Sequence, residues 1–259
     1  MIKIKYSGYL ALFFLSCSVS AATPPAAPAK LKNMEISAAG GPAWIYTNNT
    51  KIIMSPSETD SVQVNQTSSG GTANLYQKKF NGSLWKIGVG YHFFAEKLKN
   101  RTVLNDLLVE LNLYGSSTTI NGNVWQFQNA ALNNFSFGAP ITSTRLMLDV
   151  KPLLFNLDPF EIYPILGIGA AWNTISFQEV VIAGSGVVPT SFNKNTNTNF
   201  AYDLGTGVRI GLTTHLTAAL EYLYTNLGSI SPTNAGVVSP PTFKVDSQSL
   251  LLGLNWKFN

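Results

Sequence analysis

FAYDLGTGVRIGLTTHLTAALEYLYTNLG, residues 200–228, and the closing SQSLLLGLNWKF, residues 247–258, decide the fold. In residues 200–213, Phe200, Tyr202, Leu204, Val208, Ile210 and Leu212 share one parity, and Asp203, Gly205, Gly207, Arg209 and Gly211 share the other. After a short turn, residues 216–225 set Leu216, Ala218, Leu220, Tyr222 and Tyr224 against Thr217 and Glu221. The final segment sets Leu250, Leu252, Leu254, Trp256 and Phe258 against Gly253, Asn255 and Lys257. Successive side chains of a strand point to opposite faces, so each segment has one apolar face and one face of glycines and single charges. A soluble sheet turns its charged face to bulk water and its apolar face to a core. The inverse suits a wall with lipid on one side and a packed polar interior on the other.

Five earlier segments repeat the pattern. Residues 34–47 set Met34, Ile36, Ala38, Trp44 and Tyr46 against Glu35 and Ser37. Residues 84–94 set Trp85, Ile87, Val89, Tyr91 and Phe93 against Lys86, Gly88, Gly90 and His92. Around residues 106–114, Leu107, Val109, Leu111 and Leu113 oppose Glu110 and Asn112; around residues 143–155, Leu146, Leu148 and Val150 oppose Arg145, Asp149 and Lys151. In residues 161–172, Ile162, Leu166, Ile168 and Trp172 oppose Tyr163, Gly167 and Gly169. A charge on the lipid face costs roughly 2–4 kcal/mol at mid-bilayer, which accounts for the exclusion of charge from the apolar parity. The expected fold is all-β: an eight-stranded antiparallel transmembrane up-and-down barrel over residues 34–259.

Its inward charges are the bases Lys86, Arg145, Lys151, Arg209 and Lys257 and the acids Glu35, Glu110, Asp149, Asp203 and Glu221. An eight-stranded barrel is only wide enough to be filled by side chains, and unpaired buried charges are costly. Cross-pairing into a plug is therefore expected, with a pore lined by the same residues as the alternative. Gly88-Val89-Gly90, Gly167-Ile168-Gly169 and Gly205-Thr206-Gly207 lack the third glycine and the helix of a phosphate loop. They read instead as room for large neighbouring side chains.

Connections at residues 47–83, 115–140, 173–198 and 226–246 are long and polar, and the others are short. Long extracellular loops and short periplasmic turns match that asymmetry, and an even strand number leaves both termini in the periplasm. Trp44, Tyr46, Trp85, Trp172, Phe200, Tyr202, Tyr222 and Tyr224 then fall toward the extracellular end, and Tyr91, Phe93, Phe155, Trp256 and Phe258 toward the periplasmic end. Two such belts mark membrane interfaces. A soluble eight-stranded ligand carrier would turn these aromatics inward and its charges into water.

Residues 1–21 read as a signal peptide: Lys3 and Lys5 form the basic start, Leu10 to Leu15 the apolar stretch, and Val19-Ser20-Ala21 the cleavage site. The apolar stretch is too short for an anchor. Residues 22–33, ATPPAAPAKLKN, form an extended linker. Cys17 is the only cysteine and leaves with the signal, which excludes disulfide and thiol chemistry from the mature chain. Lys3 and Lys5 leave too, so fifteen bases face thirteen acids and the formal charge falls from +4 to +2. No basic patch with interleaved aromatics is present, so nucleic acid is not an expected partner. His92 and His215, the only histidines, fall at the periplasmic end, away from an outer-rim hydrolase site, and show no metal-ligand spacing. No catalytic residue, cofactor or metal is expected.

PILGIGAAW, the stretch from Leu204 to Gly228, and SLLLGLNWKF together resemble the outer-membrane β-barrel family, which includes opacity-type surface proteins and the transmembrane domain of the outer-membrane-protein-A type. The resemblance covers residues 34–259. It implies residence in the outer membrane of a Gram-negative bacterium, among outer-membrane lipid and lipopolysaccharide. It also implies recognition of Trp256 and Phe258 by the barrel-assembly machinery, although here Asn259 follows the terminal aromatic. The expected function is a non-catalytic surface protein contacting host or cell-surface ligands through its loops and supporting envelope integrity. A narrow channel or path for small hydrophobic solutes is the alternative, and a surface hydrolase such as a lipid A deacylase is less favoured.

Overall fold

The computed structural model describes residues 32–64, 78–93, 104, 106–157, 159–182, 188–190, 192–233 and 236–258. The signal peptide, Cys17, nearly all of the linker, Phe94, Asn259 and the Phe155 side chain lie outside the described residues. The strands are β1 (Met34–Thr47), β2 (Thr50–Ser55), β3 (Glu58–Val64), β4 (Lys78–His92), β5 (Asp106–Trp125), β6 (Asn133–Leu153), β7 (Phe155–Leu157), β8 (Phe160–Ile175), β9 (Gln178–Val181), β10 (Asn195–Gly211), β11 (Leu216–Ile230) and β12 (Phe243–Lys257).

Eight of them close a ring. β1 pairs with β4, then β5, β6, β8, β10, β11 and β12 follow, and β12 pairs back onto β1, antiparallel throughout. One inward row starts at Lys257 and passes Glu35, Gly90, Glu110, Asp149, Gly167, Asp203 and Thr225. It returns to β12 at Ser247, ten residues from its start. Ten residues at roughly 3.3 Å each, against eight strands at roughly 4.8 Å spacing, tilt the strands by roughly 40°.

Ile87, Leu111, Leu148, Ile168, Leu204, Leu220, Leu252 and their neighbours stand exposed on the outside, while the charged parity is buried. This arrangement changes along the strands. Above the row joining Trp85, Gly115, Thr144 and Trp172, the outward residues of β4, β5, β6, β8 and β10 are mostly Ser, Thr and Asn. The inward residues become apolar: Ile45, Phe80, Ile120, Val124, Phe135, Phe137, Ile141, Ile175 and Phe243 are all buried. The wall thus turns from membrane-facing to water-facing along the same strands. β6, with 21 residues, rises roughly 50 Å, about twice the apolar band of such barrels.

The expected loops are corrected accordingly. The connection placed at residues 115–140 is mostly strand, and only residues 126–132 join β5 to β6. A β2–β3 hairpin fills part of the first connection and pairs with β5, and β9 in the third pairs with β6. These additions hold because the inner face continues as an apolar core beyond the membrane level.

Candidate functional site

The barrel interior carries two layers of buried side chains. In the half nearer the termini the buried side chains are ionic. Glu221 accepts from Lys86 Nζ at 2.7 Å, Lys151 Nζ at 2.6 Å and the Tyr163 hydroxyl at 3.0 Å. Lys151 also pairs with Glu110 at 2.5 Å. Tyr163 gets there by crossing Gly207, where a Cβ would stand 2.4 Å from its Cζ. Among the described residues, Asp149 meets no base directly. It accepts from the Tyr114 hydroxyl at 2.5 Å and from Asn112 Nδ2 at 2.7 Å. Arg145 lies over the Tyr114 ring at 4.4 Å, with its Nε 4.0 Å from Asp203. Gly167 lies between Asp149 and Asp203 in the same row and leaves room for both carboxylates.

At the terminal end, His92 Nδ1 lies 2.5 Å from Asp106 and Nε2 lies 2.9 Å from Glu35. Both ring nitrogens face carboxylate oxygens, so the ring can donate to both only as the imidazolium. Arg209 pairs with Glu161 and reaches Glu35 at 3.5 Å. Lys257 is half-buried in register with Glu35. Trp256 faces outward with its ring stacked on His215 at 5.6 Å. Phe258 N–H donates to Met34 O at 2.8 Å, which fastens the β1–β12 seam. Asp106 and Glu161 were missed as interior charges because each lies at a strand start, although each shares parity with an inward residue, Glu110 and Tyr163.

In the other half the buried side chains are apolar and include a cluster of rings that would act as a seal. Phe137 stacks on Phe177 at 4.8 Å, and Phe192 meets Phe177 edge-on at 5.2 Å. Phe243 lies 6.1 Å from Phe177. Phe177 and Phe192 belong to the β8–β10 connection, and both are buried.

Above this seal stands the β5–β6 crest. Phe127 is 57% exposed, yet its φ is 50° and that of Gln128 is 56°, both left-handed. Such a backbone is costly for a residue with a large side chain. Phe127 N–H is held at 3.0 Å by Asp60 Oδ1. Burial pushes the Asp60 carboxyl up, and the Phe127 N–H partly offsets this. Glu179 holds Thr190 N–H at 2.8 Å, and burial pushes its carboxyl up to about 7. Val180, Val188 and Val238 are exposed at the same end.

The family model for the outer membrane protein β-barrel domain matches residues 10–258. The chain belongs to this outer-membrane β-barrel family. Its place is the Gram-negative outer membrane. Among solved structures, Neisserial surface protein A is 14% identical, with 88% of this chain and 98% of that one covered and a TM-score of 0.42. OprG from Pseudomonas aeruginosa is 16% identical over 88% and 97%, with a TM-score of 0.42. The outer membrane protease OmpT from Escherichia coli is 8% identical over 88% and 98%, with a TM-score of 0.49. No curated protein matches the chain in sequence.

Proposed function

We propose that this outer-membrane barrel is a non-catalytic surface protein: a sealed anchor that carries a crest to meet a partner outside the cell. The carrying observation is Phe127. An exposed aromatic in left-handed backbone, tied down by a buried carboxylate, is strain kept in place by its surroundings, and such strain concentrates at binding sites. Rigid aromatics are also the residues that dominate protein contacts. The partner is a host or neighbouring-cell surface, and the filled barrel supports envelope integrity. Engagement of His92 by two carboxylates, and of His215 Nδ1 by Lys257 O at 3.1 Å, supports the non-catalytic reading. Export by cleavage after Ala21 and assembly through Trp256 and Phe258 belong to the same proposal.

Replacing Phe127 tests it. Phe127→Ala should lower attachment of expressing cells by about tenfold, the scale of an aromatic anchor, with surface expression and heat-modifiable gel mobility unchanged. Attachment equal to wild type would remove the crest from the function.

A further inference from the structure

The crest ends in apolar side chains that pack into neither the core nor the membrane-facing wall. The sequence places no Asp, Glu, Lys, Arg or His between Glu110 and Arg145, and none between Glu179 and Lys194. The β5–β6 turn comes from the first stretch, and most of β9, which flanks it, from the second. At the turn, Phe127 and Leu132 are exposed. Beside it, Ile182 N–H donates to Asn134 O at 2.8 Å, and Val180 lies in register with Ser136. Ile182 and Val180 are exposed too, Val180 at 59%, and extend the apolar end down one side of β6. Val188, two residues before the Thr190 that Glu179 holds, is 85% exposed. Among the described residues, the flanking charges of the β2–β3 hairpin are Lys51 and Glu58, one of each sign. Asp60 and Glu179 are engaged by backbone N–H groups. Trp125 stands ten residues beyond Gly115 on β5, roughly 25 Å along the barrel axis at the strand tilt, so the tip does not reach the bilayer that holds the barrel.

Resting on the surface-protein reading above, we propose that the crest tip inserts into the interface of a zwitterionic phospholipid bilayer on an apposed cell. Exposed apolar side chains at a projecting end mark a contact with protein or membrane. Five such side chains fall well short of the roughly 20–30 residues that each side of a stable protein interface contributes. Partition into a bilayer needs no matching shape. It scales with the apolar area removed from water, and it gains electrostatic attraction only where basic residues face anionic lipid. The two tip stretches carry no base, and Glu58 balances Lys51, so the surface that fits has no net charge. The Asp60 tie fixes the Phe127 backbone before contact, so little conformational freedom is lost on insertion.

The test is flotation of barrel-loaded nanodiscs with phosphatidylcholine vesicles in a density gradient, with empty nanodiscs as background. The wild-type barrel should float with the vesicles, and the fraction should hold when phosphatidylserine is added or salt is raised. The double variant Phe127→Ala with Leu132→Ser should float about tenfold less. Phe127→Trp should float as the wild type does, because a bilayer interface accepts either ring and a shaped protein pocket does not. Unchanged heat-modifiable gel mobility shows each variant folded. Wild-type barrels that stay below the vesicles, or that float no better than the double variant, overturn the proposal. Flotation that needs phosphatidylserine and is lost in high salt overturns the zwitterionic assignment. Loss of cell attachment in Phe127→Ala without flotation of the wild type leaves the crest as a contact site and overturns its lipid partner. Flotation that depends on Phe127, with cell attachment unchanged, supports the insertion and overturns the attachment reading instead.

Discussion

Tyr163 hydrogen-bonds Glu221 across a strand because residue 207 between them is glycine. The contact shows what a sequence reading reaches at the scale of a residue. Parity assigns Glu221, Gly207 and Tyr163 to the interior, but it does not say which side chain crosses which strand. That depends on the ten-residue stagger of the closed ring, which no single strand carries. Gly207→Val should push Tyr163 aside and lower the urea midpoint of the barrel in lipid vesicles. Glu221→Gln should act more strongly, because removing the charge leaves Lys86 and Lys151 buried with less compensation. Loss of one partner of a buried pair costs about 3–5 kcal/mol. A midpoint unchanged in the Glu221 variant would mean that the central cluster is hydrated rather than a plug.

The element that the sequence concealed is the upper half of β5 and β6. Ile120, Val124, Phe135, Phe137 and Ile141 have the same parity as the charges below them, so a search for one continuous apolar face ends near Gly115 and resumes near Ser143. Reading a change of face instead of an end of strand would have found it. The seal depends on Phe177, whose truncation to alanine should open a cavity at a cost of about 3–5 kcal/mol and raise amide exchange in β9 and the crest. The crest should also respond to pH. Glu179 titrates at about 7 when held in the closed structure, above its ordinary value of 4.5. The closed form therefore binds the proton more tightly than an open loop does. Closure is favoured at low pH, weakens as pH rises from about 4.5 to about 7, and stays weakened above. Asp60 shifts the same way. Protection factors at the Phe127 and Thr190 amides should fall between pH 5 and pH 8, and Glu179→Gln should flatten the change at Thr190. A rise with pH would reverse the assignment.

At the scale of the molecule, two incompatible interiors share one wall. Within the membrane level the lumen is ionic and the exterior apolar; beyond it the lumen is apolar and the exterior polar. The eight spanning strands and the inward charges could be read from alternation, because lipid forbids charge on one face. The seal could not, because Phe177 and Phe192 come from a connection and reach the mouth only after the ring has closed. The proposed anchor role rests on both layers blocking the lumen. Planar-bilayer recording of the purified wild-type barrel at high salt tests this most directly. The sealed interior predicts silence at all applied voltages. Discrete conductance steps whose size or ion selectivity changes in Arg209→Ala or Glu221→Gln would contradict it and identify the charged layer as a pore.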